Sequence, residues 1–125
     1  ANNPGVLVKQ TKRAQTPLEL KAIRENLTKL IVNALYENIP IAHICQIVGE
    51  VNTAVTKRAI ELSILKMEKE PPVRFAWLNI GSQGRREQLL LTDQDNALVF
   101  RDVSADSHDE VKKYFIHLAK NVTHM

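Results

Sequence analysis

Two short apolar runs, held apart by a glycine turn and a pair of acids, constrain this chain more than any other feature. The first run reads Phe-Ala-Trp-Leu-Asn-Ile over 75–80 and the second reads Ala-Leu-Val-Phe over 97–100. Between them stand Gly81-Ser82-Gln83-Gly84-Arg85-Arg86-Glu87-Gln88 and then Thr92-Asp93-Gln94-Asp95-Asn96. Apolar runs of this length, bounded by glycine and polar residues, suit strands better than helices. The order predicts a strand over 73–80, a tight turn at Gly81, a short helix from Ser82 to near Leu90, and a second strand over 95–101. In the first strand Val73, Phe75 and Trp77 share one face, and Ala76, Leu78 and Ile80 share the other. Apolar residues on both faces predict a strand covered on both sides. The relative sense of the two strands stays open. A parallel crossover takes about a dozen residues or more, and the link here is barely that long.

The residues before this stretch read as helices. Residues 1–15 are polar and basic, with an early Pro4-Gly5 and no clear period, and are expected to be a linker or a frayed start. Thr16-Pro17-Leu18-Glu19 is a helix start: Thr16 caps, Pro17 fits the first turn, and Glu19 closes a capping box. Leu20, Ile23, Leu27, Leu30, Ile31, Ala34 and Leu35 then recur at spacings of three and four, which predicts one apolar stripe on a helix ending near Tyr36. Asn38-Ile39-Pro40 breaks it. A longer helix is expected from about Ile41 to about Lys69, with Ile44, Ile47 or Val48, Val51, Val55, Ile60 or Leu62, and Leu65 inward. Gly49 inside it marks either close helix packing or a local bend. A short connection between two amphipathic helices implies an antiparallel hairpin over 16–70. Pro71-Pro72 ends the helical region. After the second strand, Ser107-His108-Asp109-Glu110 is expected to cap a last helix with Val111, Phe115, Leu118 and Val122 inward.

The turn carries the chemistry. Gly81 and Gly84 let the backbone turn sharply and approach a ligand closely. Ser82 stands where the expected helix begins, where free N–H groups and the positive end of the helix dipole favour a phosphate. Arg85 and Arg86, one turn on, can neutralise more phosphate charge, and both offer bidentate geometry. Asp93 and Asp95 are two residues apart, so an extended backbone projects both carboxylates from one face. Two carboxylates that close repel unless a cation sits between them. Mg²⁺ or Mn²⁺ fits, since both prefer oxygen ligands and substrate phosphates. Phosphate at Ser82 and metal at Asp93 and Asp95 would together position a nucleoside triphosphate. Each half is common by chance. The two together, eleven positions apart from Ser82 to Asp93 and flanked by apolar strands, make a far more specific signal.

Composition narrows the function classes. The chain of 125 residues is 44% hydrophobic, 25% charged and 5% aromatic, as in an ordinary globular domain with an aliphatic core. A net charge of +3 is too small to argue for nucleic acid. The basic excess near the start (Lys9, Lys12, Arg13, Lys21, Arg24 and Lys29 against Glu19 and Glu25) reads as a solvated linker and helix face. Cys45 is the single cysteine, so no internal disulfide forms; it reads as a buried small hydrophobe. No apolar run approaches the roughly 20 residues of a membrane span, and a cytoplasmic setting is expected. His43, His108, His117 and His124 are scattered and complete no zinc set. Trp77 could stack a base, but its place on an apolar strand favours the core, and Asn96 either binds substrate or caps a turn.

At 75–88 and 92–98 the sequence resembles the nucleotidyltransferase superfamily that includes DNA polymerase β, which carries a Gly-Ser turn followed by Asp-x-Asp. More narrowly, it resembles the nucleotidyltransferase domain related to the N-terminal part of protein-PII uridylyltransferase. The resemblance covers roughly residues 16–125; it is specific at the motif and matches in pattern only over the helices. It implies a phosphate turn at Gly81 and Ser82 and metal carboxylates at Asp93 and Asp95. In bacterial signalling proteins such domains often follow cyclic-nucleotide-binding and CBS modules. Enzymes of this kind usually need a third carboxylate on a later strand. Asp102, Asp106 and Asp109 follow the Asp-x-Asp strand too closely to supply it. The chain, which starts at Ala1 and stops at Met125 inside a helical pattern, is expected to be a piece of something longer, with that acid beyond it.

The expected fold is α+β: a linker over 1–15, an N-terminal antiparallel helical hairpin over 16–70, and a truncated nucleotidyltransferase core with a small β-sheet over 71–125. The expected activity is transfer of a nucleoside monophosphate from a triphosphate to a protein or small-molecule hydroxyl. The alternative is a catalytically inactive nucleotide-sensing module whose helices contact neighbouring sensory domains or a second copy of the chain.

Overall fold

The computed structural model describes residues 4–80 and 95–125, and for Asn79, Ile80 and Asp95 it describes the backbone. The order is α1 Pro4–Arg13, α2 Pro17–Tyr36, α3 Ile41–Met67, β1 Phe75–Ile80, β2 Asp95–Phe100 and α4 Ala105–Thr123. The fold is α+β, with four helices and one two-stranded sheet among the described residues. None of these helices is long and apolar enough to cross a membrane.

The first helix corrects the linker expected over 1–15. Leu7 and Thr11 are buried at 1% and 0% exposure, one turn apart, and α1 packs on both α2 and α3. The Thr11 hydroxyl donates to the Leu7 carbonyl at 2.8 Å, so it brings no unpaired polar group into the core. One buried turn is too short to register as a period. Packing rather than propensity makes this helix. The Arg58 Nε of α3 then donates to the Ala14 carbonyl at 2.7 Å and fixes the turn into α2.

The second helix starts where its capping residues place it. The Glu19 N–H donates to the Thr16 hydroxyl at 3.2 Å. The Glu19 carboxylate accepts from the Gln15 N–H at 2.6 Å, one residue before the cap. Leu20, Ile23, Leu27, Leu30, Ile31 and Ala34 are buried as expected, while Leu35 is 47% exposed. The chain turns with Asn38 at φ 59°, a left-handed conformation that Asn tolerates better than most residues. Pro40 follows at the N-cap of α3.

The third helix is the centre of the molecule, in contact with α1, α2 and α4. Its buried face runs Ile44, Ile47, Val48, Val51, Val55, Ala59 and Leu62, with Cys45 buried beside it as expected. Leu65 is the exception, at 66% exposure. It stands at the margin of the buried arc in the last stretch of the helix. The fully buried Ser63 takes the other margin, its hydroxyl 3.7 Å from the Met125 sulfur. Gly49 marks no close packing, because a Cβ there would meet nothing within 4 Å. Gly49→Ala is therefore expected to stabilise the fold by about 0.5–1 kcal/mol, the helix-propensity difference. Urea denaturation checks this, and an unchanged or lower midpoint would refute the open-surface reading.

The strands pair antiparallel, which settles their relative sense. Phe75 faces Phe100, Trp77 faces Leu98, Leu78 faces Ala97, and Ile80 faces Asp95. Phe75, Trp77, Leu98 and Phe100 pack against the helical core. Phe115 of α4 is their anchor, its ring centroid 5.3 Å from Phe75 and 5.0 Å from Phe100, stacked on the latter. Among the described residues the opposite face is uncovered, with Leu78 at 46% and Val99 at 54% exposure, contrary to the expectation of cover on both sides. The last helix begins at Ser104, three residues before the expected cap at Ser107. Its inward residues are those expected, with Tyr114 added; the Tyr114 hydroxyl donates to the Lys69 carbonyl at 2.5 Å, tying α4 to the end of α3.

Candidate functional site

The candidate site is built on the open end of the β1–β2 ladder. The chain leaves β1 at Ile80 and enters β2 at Asp95, and these two residues are cross-strand partners. Directly paired residues in an antiparallel ladder have Cα atoms about 4.5–5.5 Å apart. The residues that bound the motif are thus held side by side, although the whole of 81–94 separates them in sequence. The alternating apolar residues explain why. Phe75 and Trp77 on one strand and Leu98 and Phe100 on the other pack against the same helical core, and this fixes the register at the far end.

Gly81, Ser82, Gly84, Arg85, Arg86 and Asp93 lie outside the described residues, as does the short helix expected after Ser82. Of the candidate site residues, Asp95 is placed by its backbone, at the first position of β2. It stands two residues before Ala97 and four before Val99 along that strand. Two carboxylates at 93 and 95 are the hard oxygen donors that Mg²⁺ or Mn²⁺ prefers, so the donor set fits such an ion. Among the described residues no group of three or more His, Cys, Asp or Glu comes together. His117 is exposed on α4, His124 is exposed at its C-cap, and His108 lies against Phe100 with its ring centroid 6.2 Å away.

Trp77 is a core residue, as its strand position suggested, but a half-satisfied one. Its ring packs on the helices while its indole N–H finds no acceptor among the described residues. Two further polar residues are not visible as special in the sequence. Arg24 counts there as part of a solvated basic face, yet it is half-buried, and its Nη1 donates to the Met125 carbonyl at 2.8 Å. Burial lowers its pKa below the ordinary arginine value. Asn52 is 7% exposed on the inward face of α3. The available signal is its place in the stripe, next to Val51 and three residues before Val55, where an apolar residue is the norm.

The comparison with known families bears on the motif and its scaffold together. No curated protein and no solved structure matches the chain. A family model described as "Putative nucleotidyltransferase DUF294" matches residues 25–125, which takes in most of α2, all of α3, both strands, the motif between them and α4. Because that match spans most of the chain and includes both the Gly-Ser turn and the Asp-x-Asp pair, the chain belongs to this nucleotidyltransferase family.

Proposed function

We propose that the protein transfers a nucleoside monophosphate from a nucleoside triphosphate to a hydroxyl acceptor, with Gly81, Ser82 and Gly84 cradling phosphate and Asp93 and Asp95 holding Mg²⁺. The observation that carries this reading is the family match over 25–125, which includes the motif. The cross-strand pairing of Ile80 with Asp95 supports it, since the phosphate turn follows the first of these at once and the acids end on the second. Arg85 and Arg86 add charge for the triphosphate. The bound ion would supply electrostatic stabilisation of the charge that develops on the phosphates. The chain's own groups bind the triphosphate and orient it. The resemblance to protein-PII uridylyltransferase makes UTP the first donor to try, and a protein the first acceptor class, in a signalling context with CBS or cyclic-nucleotide-binding modules.

The test is pyrophosphate release from each of the four ribonucleoside triphosphates with Mg²⁺. Release, with the labelled monophosphate retained on an acceptor, is the expected result. Binding without release in the presence of cell-extract acceptors would refute the transferase and leave the nucleotide-sensing module.

A further inference from the structure

The outward side of α2 carries a second stripe, and it reads alike from either end. Leu18, Ala22, Glu25, Lys29, Val32 and Tyr36 follow one another at steps of four, three, four, three and four. Such steps keep residues on one side of a helix. The core side of α2 is taken by Leu20, Ile23, Leu27, Leu30, Ile31 and Ala34, so the second stripe lies opposite to it. All six residues of the stripe are exposed, with Leu18 at 75%, Val32 at 45% and Tyr36 at 84%. Single exposed apolar residues are ordinary on a protein surface. Here four of them fall in line on one helix, with two opposite charges between them.

The order along the stripe says what covers it. Leu18 and Tyr36 stand equally far from Leu27 in sequence, as do Ala22 and Val32, and Glu25 and Lys29. A two-fold axis at the level of Leu27, perpendicular to α2, sets Leu18 against Tyr36 of a second copy, Ala22 against Val32, and Glu25 against Lys29, each pair occurring twice. Apolar ends then meet apolar ends, and opposite charges meet at the centre. The steps of three and four are those of a two-stranded coiled-coil seam. A parallel pair in register would set Glu25 against Glu25 and Lys29 against Lys29, and like charges so placed destabilise. Among the described residues neither Glu25 nor Lys29 has an ion-pair partner within the chain. The stripe is thus its own complement in the antiparallel sense.

We propose that α2 pairs antiparallel with α2 of a second copy of the chain through this stripe. Leu18 and Tyr36 close the two ends of the seam, and the two Glu25–Lys29 pairs fix its register. From Leu18 to Tyr36 the seam is about 27 Å long at the helical rise per residue. One helix pair stands at the small end of the range for protein interfaces, so the dimer forms and parts with concentration.

Sedimentation velocity on the whole chain, from about 1 μM to about 1 mM where weak pairs assemble, tests this. A monomer–dimer equilibrium is expected. Glu25→Lys and Lys29→Glu should each weaken it tenfold or more, because each turns both central pairs into like charges. An equimolar mixture of the two variants should pair again, since the mixed dimer restores opposite charges at the centre. Tyr36→Ser, an uncharged change at the end of the stripe, should also weaken pairing tenfold. All three positions are exposed, so the circular dichroism spectrum should be retained. A monomer across the whole range, a dimer that neither charge reversal weakens, or reversed variants that do not pair on mixing would each overturn the assignment. If the charge variants unfold, Tyr36→Ser decides, and undiminished pairing there would overturn it as well.

Discussion

Replacing Leu27 with Ala is expected to lower the unfolding free energy by about 2–5 kcal/mol, the span seen when a buried leucine is cut back to its Cβ. Leu27 is 0% exposed on α2 and belongs to a core cluster that joins the four described helices. The loss has two parts. The removed methyl groups no longer gain from leaving water, and the space they leave closes only partly. A small domain has a total stability of about 5–15 kcal/mol, so the variant is pushed close to unfolding at 37 °C. Leu35→Ala on the same helix is the control. At 47% exposure Leu35 already keeps much of its surface in water, so its loss should be well under half as large. Urea denaturation of the two variants checks the pair. Equal losses would mean that α2 does not turn Leu27 inward and Leu35 outward.

The second large effect concerns the acids. Asp93→Asn combined with Asp95→Asn is expected to abolish stabilisation by a Mg²⁺–triphosphate complex. A ligand at 100 times its dissociation constant adds about 2.7 kcal/mol to a fold that binds it only when folded. The double change preserves size and shape and removes both anionic ligands, so that whole increment should vanish. The unliganded protein should be as stable as before, or slightly more so, because two carboxylates two positions apart repel in the absence of a cation. This asymmetry separates a metal site from a structural role. If the two aspartates served only as caps or in ion pairs, the double variant would lose stability with or without ligand.

Much of the fold is legible in the sequence, for identifiable reasons. The stripe from Leu20 to Ala34 and the Thr16 cap define α2 because twenty residues carry several turns of consistent period. Cys45 and the inward face of α4 follow from the same logic. The first helix is hidden because its burial rests on Leu7 and Thr11 alone, and a single turn has no measurable period. The start of α4 is ambiguous because Ser104 and Ser107 are both of a residue type that suits an N-cap; the helix starts after Ser104, whose side chain makes no capping hydrogen bond. The apolar runs place the strands but mislead about their cover. Leu78 and Val99 alternate as a buried face would, yet among the described residues the helices pack on the other side only. At the site, the Gly-Ser turn and Asp-x-Asp pair are readable because their chemistry is local in sequence. The meeting of Arg24, Asn52 and Trp77 around one cleft is not, since these residues come from α2, α3 and β1 and come together only in the folded chain.

The most direct test of the central claim is thermal unfolding with each of the four ribonucleoside triphosphates, with and without Mg²⁺, on the unaltered protein beside the Asp93→Asn, Asp95→Asn double variant. A rise in the midpoint that needs Mg²⁺, prefers one base and disappears in the double variant is the predicted result. No rise with any triphosphate, or a rise that survives loss of both aspartates, would contradict the phosphate-and-metal site.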